Sequence, residues 1–240
     1  MAYSSSRAIV IRTVKYGDNR LIVDFLTRSE GRLSVAVKVS SRGKSGVVRQ
    51  LFQPLNILDI EYNRTPRNDV ARLVEAHIGE TYCSLPFDGV KMSLAFFIAE
   101  LLNYATRDLH ADSRLYDFVE RSLLWLDMAE GSVSNFHLML MVHLMPFLGF
   151  QPDTEDYSDG LLFDMREGAF CRTVPLHGDY LAPDEARKML SLMRMSAYNM
   201  HLFRMTRDER NRATDLMLQF YGIHLPSFGE MKSLPVLRSL

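Results

Sequence analysis

Cysteine is nearly absent. The 240 residues hold two, Cys83 and Cys171, 88 positions apart and without a neighbouring partner. That spacing excludes a zinc ribbon, which needs paired Cys-x-x-Cys ligands, and the dense cross-links of a small secreted scaffold; it fits a reducing cytoplasm. Long apolar runs are missing too. The charge-free stretch from Phe136 to Phe150 covers 15 residues and is interrupted by His137, His143 and Pro146, whereas a membrane span needs about 20, so it reads as a buried helix. The opening Met1-Ala2-Tyr3-Ser4-Ser5-Ser6-Arg7 meets further charge at Arg12 and Lys15 before any apolar run forms, which leaves no secretory signal and points to a cytoplasmic protein.

Signatures of catalysis are lacking as well. There is no G-x-S-x-G elbow and no H-E-x-x-H pair, and neither cysteine sits in a reactive context. Gly43-Lys44-Ser45-Gly46 echoes a phosphate-binding loop, but Lys38 occupies the place of its first glycine. His137 and His143 stand six apart, about 240° around a helix, so they read as core or interface residues and not as a ligand pair. The acids Asp153, Glu155, Asp156 and Asp159 fall in a turn-rich stretch and read as solvated. Fourteen methionines, among them Met189, Met193, Met200 and Met205, read as core filling before they read as an adaptable peptide groove.

What the chain does have is an uneven distribution of charge. The total is close to neutral at −1, yet residues 1–80 carry 13 Lys+Arg against 8 Asp+Glu, a net of +5, and the remaining 160 carry 15 against 21, a net of −6. Between Arg7 and Arg49 ten basic residues face three acids. A basic front half is the footprint of a phosphate-backbone partner; an acidic remainder serves something else.

Strand-like alternation underlies the basic segment. Arg7–Tyr16, Arg20–Thr27 and the stretch from Leu33 to Val39 form three candidate strands, separated by turns at Tyr16-Gly17-Asp18-Asn19 and Ser29-Glu30-Gly31. In the third, Leu33, Val35, Val37 and Val39 share one face and Arg32, Ser34, Ala36 and Lys38 the other. A polar loop from Ser40 to Gly46 bears Arg42 and Lys44, and Leu55–Tyr62 and Val70–His77 supply two more strands. Five short strands in about 75 residues predict an α+β chain opening with a five-stranded oligonucleotide-binding (OB-fold) barrel over residues 1–80.

After Pro86 the apolar period becomes helical, and residues 81–240 read as a helical domain. Asp88 caps a first helix, Leu115 to Leu126 stripes a second, and Ser134 or Asn135 opens a third that Pro146 and Gly149 close. Residues 151–182 form an irregular acidic insert with a short hairpin near Leu161-Leu162-Phe163. Pro183-Asp184-Glu185 starts another helix, and Thr206–Tyr221 makes the last, with Gly222 as its stop.

The cations Arg12, Lys15, Arg32, Lys38, Arg42, Lys44 and Arg49 are therefore the candidate phosphate contacts, and Tyr16 the candidate stacking ring, with Phe25 assigned to the core. A protein-interaction adaptor whose barrel binds peptide and not DNA is the alternative reading of the same pattern.

The run Ala8-Ile9-Val10-Ile11-Arg12-Thr13-Val14-Lys15-Tyr16-Gly17-Asp18, then Leu21-Ile22-Val23 and Leu26-Thr27-Arg28-Ser29-Glu30-Gly31-Arg32-Leu33, resembles the N-terminal barrel of the bacterial DNA repair family RecO. Leu51-Phe52-Gln53-Pro54-Leu55, Ala99-Glu100-Leu101-Leu102, Leu148-Gly149-Phe150-Gln151-Pro152 and Lys232-Ser233-Leu234-Pro235-Val236-Leu237 extend the likeness over nearly the whole chain. The resemblance implies a non-catalytic, cofactor-free recombination mediator that binds single- and double-stranded DNA and anneals complementary strands. It also implies action at the nucleoid with RecR to load RecA onto strands coated by single-strand-binding protein, whose acidic C-terminal tail meets the helical domain. Many relatives carry a four-cysteine zinc motif after Gly-Phe-x-Pro; here Asp153-Thr154-Glu155-Asp156 stands there, so no metal is expected and packing alone must hold the insert.

Overall fold

The computed structural model describes residues 2–39, 49–64 and 69–239. Five strands, β1 (Ala2–Lys15), β2 (Arg20–Thr27), β3 (Gly31–Lys38), β4 (Ile57–Arg64) and β5 (Val70–Ile78), close into a barrel in the order β1-β2-β3-β5-β4. Alternation decides which side chains go inside: Leu21, Val23 and Phe25 of β2 and Leu33, Val35 and Val37 of β3 are buried with Leu58, Ile60 and Tyr62 of β4. Phe52, from a short helical turn at Arg49–Phe52, packs edge-on against Phe25 with ring centroids 6.3 Å apart.

The fifth strand closes the cylinder by pairing in parallel with β3 through Ser34–Ala36 and antiparallel with β4. β1 begins five residues before the expected Arg7, because closure recruits the polar Tyr3-Ser4-Ser5-Ser6 to pair with β4. Partners followed from Tyr3 through Asn63, Arg72, Ala36 and Ile22 lead back to β1 at Val14, eleven residues on. That stagger is what tilted strands in a closed barrel require. The β2–β3 turn depends on Gly31, whose φ of +70° suits glycine and whose missing Cβ would lie 3.0 Å from the Ala111 Cα.

Compactness divides the chain into two units, Met1–Ala129 with Met231–Leu234, and Glu130–Glu230 with Pro235–Leu240. The change of period near residue 80 is thus a change of secondary structure, and the first two helices, α1 (Gly89–Ala105) and α2 (Ser113–Met128), pack with the barrel. Asp88 caps α1 as expected, accepting from the Val90 and Lys91 N–H groups at 2.8 and 3.0 Å. The buried Asp127 near the end of α2 accepts the N–H groups of Cys83, Ser84 and Leu85, and Lys91 donates to the carbonyls of Asp127 and Ala129. Burial works against the Asp127 charge, but those N–H groups outweigh it and hold the carboxyl below its ordinary value. Arg7 pairs with Glu80 and Glu120, and Arg28 with Asp117, joining α2 to the barrel.

In the second unit, α3 (Phe136–Leu148) is followed by a small sheet of β6 (Leu162–Asp164), β7 (Ala169–Cys171) and β8 (Tyr180–Leu181), then α4 (Pro183–Met193), α5 (Arg207–His224) and the short α6 (Leu234–Arg238), which begins in the first unit. Gly149, at φ +79°, ends α3, while Pro146 lies inside its last turn. Thr206 and Glu209 form a reciprocal cap on α5. Gly222 does not stop that helix. The last turn stays wound because Tyr221 is fully buried and His224 stacks on Phe150 and bonds the Met165 carbonyl, contacts that outweigh the roughly 1 kcal/mol cost of a helical glycine.

Candidate nucleic-acid interface

The outer surface of the barrel is sorted into sectors by register. Ile9, Leu26 and Ile57 face outward yet are buried, so that sector is covered. On the open sector, β1 makes a bulge between Val10 and Arg12, which resets the alternation and turns Arg12 outward opposite Asp24. Without the bulge, Arg12 would share the inward face of Ala8 and Val10.

Cross-strand rows then assemble the surface. Arg12, Asp24, Ser34 and Val70 make one row; Val14, Ile22, Ala36 and Arg72 make the next; and Arg20 stands directly opposite Lys38. The result is a small apolar saddle of Val14, Ile22 and Ala36 with Arg12, Arg20, Lys38 and Arg72 around it. Arg20, Ala36, Val37, Lys38, Arg72 and Leu73 line an open groove of about 410 Å³. The four cations are exposed and form no ion pair among the described residues. Like charges placed opposite each other across strands are destabilising, and Arg20 faces Lys38 in this way.

Other expected residues fall around this surface. Lys15, opposite the inward Leu21, and Tyr16, 65% exposed, stand at the β1–β2 end, where the Tyr16 N–H bonds the Arg20 carbonyl at 2.9 Å. Arg49 is exposed in the short helical turn. Arg42 and Lys44 lie outside the described residues. Phe25, Phe52 and Tyr62 are core residues, whereas Tyr16 is exposed.

Arg32 requires a correction. Its guanidinium, 17% exposed, bonds Asp24 at 3.1 Å and the Asn103 carbonyl and side-chain oxygens at 2.7 and 2.9 Å. Burial lowers its proton affinity, Asp24 opposes that, and the neighbouring Arg107 and Arg12 charges lower it further. A donor set so occupied anchors α1 to β2 and neutralises Asp24; it is not free for phosphate.

Sequence reasoning overlooked Arg20 and Arg72. Arg20 was legible, since the hairpin register sets it against Lys38. Arg72 reaches the groove through the parallel β3–β5 pairing and has no local signal. Acids occupy another part of the outer face: Asp59, Glu61 and Glu75 are exposed on β4 and β5, with Glu61 facing Glu75 in the row beside Asn63 and Arg72.

In the second unit the residues of the insert do not fit zinc. Among the described residues no group of three His, Cys, Asp or Glu side chains could hold a metal, and burial, then the Asp164 charge, raises the Cys171 thiol above its ordinary value. The insert is held by more than packing. Asp164 accepts the Arg166 and Glu167 N–H groups, Arg166 pairs with Asp179, and Phe163 packs edge-on against Phe170 and at a tilt against Phe220.

Comparison with known proteins matches this architecture along the chain. A family model described as the N-terminal part of recombination protein O covers residues 1–82, and one for its C-terminal part covers 86–235. The DNA repair protein RecO of Phocaeicola vulgatus is 43% identical over 232 residues, 97% of this chain and 96% of that protein. Those of Bacteroides fragilis and Flavobacterium psychrophilum are 40% and 31% identical, spanning 97% and 98% of this chain and 96% and 98% of their own lengths.

Proposed function

The chain belongs to the RecO family of DNA repair proteins, and on that footing we propose that it is a recombination mediator that holds DNA on the open sector of its barrel and anneals complementary strands. The observation that carries this reading is the set of exposed cations Arg12, Arg20, Lys38 and Arg72, which form no ion pair among the described residues and gather on the outer face of β1, β2, β3 and the start of β5. Lys15, Arg42, Lys44 and Arg49 are further candidate phosphate contacts, of which Arg42 and Lys44 lie outside the described residues.

The physical logic is short. Two strands repel through their phosphates, and a cationic surface that holds the backbones lowers that repulsion and raises the encounter rate. Phosphate contacts fix position and leave base edges free to pair. The protein makes and breaks no bond in this scheme. Both single and double strands are ligands, because the backbone is common to them. In the cytoplasm, at the nucleoid, the same surface would deliver strands coated by single-strand-binding protein to RecA, with RecR and the acidic tail of the single-strand-binding protein as partners of the helical part.

Annealing of complementary oligonucleotides precoated with single-strand-binding protein, with and without the chain, tests the proposal. The expected result is faster annealing with the parent protein and loss of the acceleration on joint Arg20→Glu, Lys38→Glu and Arg72→Glu substitution. Equal rates with and without the protein contradict it, and capture of the acidic tail peptide without any DNA shift would favour a peptide-binding adaptor.

A further inference from the structure

One large aromatic side chain on the barrel has no structural work to do. Tyr3 is 70% exposed near the start of β1. Its partner across β4 is Asn63, and the partner of Asn63 across β5 is Arg72, so Tyr3 lies in the same outward row as the groove cation. Asn63, half-buried, stands between them in that row.

The far end of the groove has matching chemistry. Tyr16, also exposed, bonds through its N–H to the Arg20 carbonyl, and Arg20 faces Lys38. Around the cylinder the order is therefore ring, three cations, ring: Tyr16 and Arg20, Lys38 on β3, Arg72 on β5 and Tyr3 on the early part of β1. From β2 to β1 by way of β3, β5 and β4 is four strand spacings, about 19 Å along the surface. The outward row beside that of Tyr3, Asn63 and Arg72 holds Ser5, Glu61 and Glu75, and its two carboxylates repel a phosphate backbone on that side of Arg72.

Resting on the reading of the barrel as a DNA-holding surface, we propose that a single strand crosses the barrel along this line, with phosphates on Arg20, Lys38 and Arg72 and a base stacked on Tyr3 at the end remote from Tyr16. Stacking is sequence-tolerant because every base has a π-face, and it is reserved for single strands because a duplex keeps its bases stacked inside. Tyr3 thus distinguishes the two forms of DNA on a surface whose charges accept both.

Fluorescence anisotropy with labelled single-stranded and duplex oligonucleotides tests this on the full chain. Tyr3→Ala is expected to weaken single-strand binding roughly 5- to 140-fold, to leave the salt dependence and the duplex affinity unchanged, and to leave the thermal midpoint unchanged because the ring is exposed. Tyr3→Phe, which keeps the π-face, should bind as the parent does. Joint Lys38→Glu and Arg72→Glu substitution should weaken both forms. Unaltered single-strand affinity in Tyr3→Ala, or an equal loss for duplex, overturns the stacking role while the charge variant still upholds the DNA surface. Parent-like binding by the charge variant overturns the surface itself.

Discussion

Arg32 and Lys38 sit on the same face of β3, six residues apart, and both read as phosphate contacts in the sequence, yet their surroundings give them opposite roles. Lys38 is exposed beside Arg20, whereas Arg32 spends its donors on Asp24 and Asn103. Charge type is visible in a sequence; a partner 71 residues away is not. Arg32→Ala is expected to destabilise the protein by about 1–3 kcal/mol, since it leaves the 8%-exposed Asp24 with Ser34 as its remaining side-chain donor. Its effect on the salt dependence of DNA binding should stay below that of one lost contact. Lys38→Ala should do the reverse, and urea unfolding alongside a salt titration of the two variants separates them. A parent-like unfolding midpoint for Arg32→Ala with a lost phosphate contact would refute the assignment. The aromatic residues follow the same lesson: Tyr62 alternates with Leu58 and Ile60 and goes inside with them, while Phe52 was placed by a turn whose docking no pattern announces.

Elements were legible where period and punctuation agreed. β2 runs from Arg20 to Thr27 as its alternation predicts, and Asp88, Pro183 and Thr206 open the helices they were expected to open. The bulge before Arg12 and the continuation of α5 through Gly222 were not legible, because barrel closure and the contacts of Tyr221 and His224 decide them. The packing of α3 on α5 carries a pH consequence. His137 is buried, and its Nε2–H donates to the Thr214 hydroxyl, whose own proton goes to the Arg210 carbonyl. Burial, with the Arg210 charge adding, lowers the imidazole from 6.5 to about 3. Between those values the unfolded chain binds a proton that the folded chain refuses. The stabilisation is therefore complete above about 6.5 and is lost as pH falls toward 3. Urea midpoints measured from pH 7.5 to 5 should fall for the parent and fall less steeply for His137→Leu, which leaves the Thr214 proton on Arg210; identical slopes would show that His137 does not titrate in this way.

At the scale of the molecule, the charge asymmetry in the sequence corresponds to a division of the barrel surface and not to a uniformly basic domain. Acids cluster on β4 and the later part of β5 and cations on β1, β2, β3 and the start of β5, so the net of +5 over residues 1–80 averages two unlike patches. Two units, one a barrel with two helices and the other helices around a small sheet, complete the chain. The central claim is that the groove cations hold phosphate, and the most direct measurement is the affinity for a labelled single strand across a salt series. Each contact contributes about 0.7 to the slope of log K against log salt. The account predicts that joint Arg20→Glu, Lys38→Glu and Arg72→Glu substitution flattens that slope by about 2, and a slope and affinity equal to the parent's would contradict it.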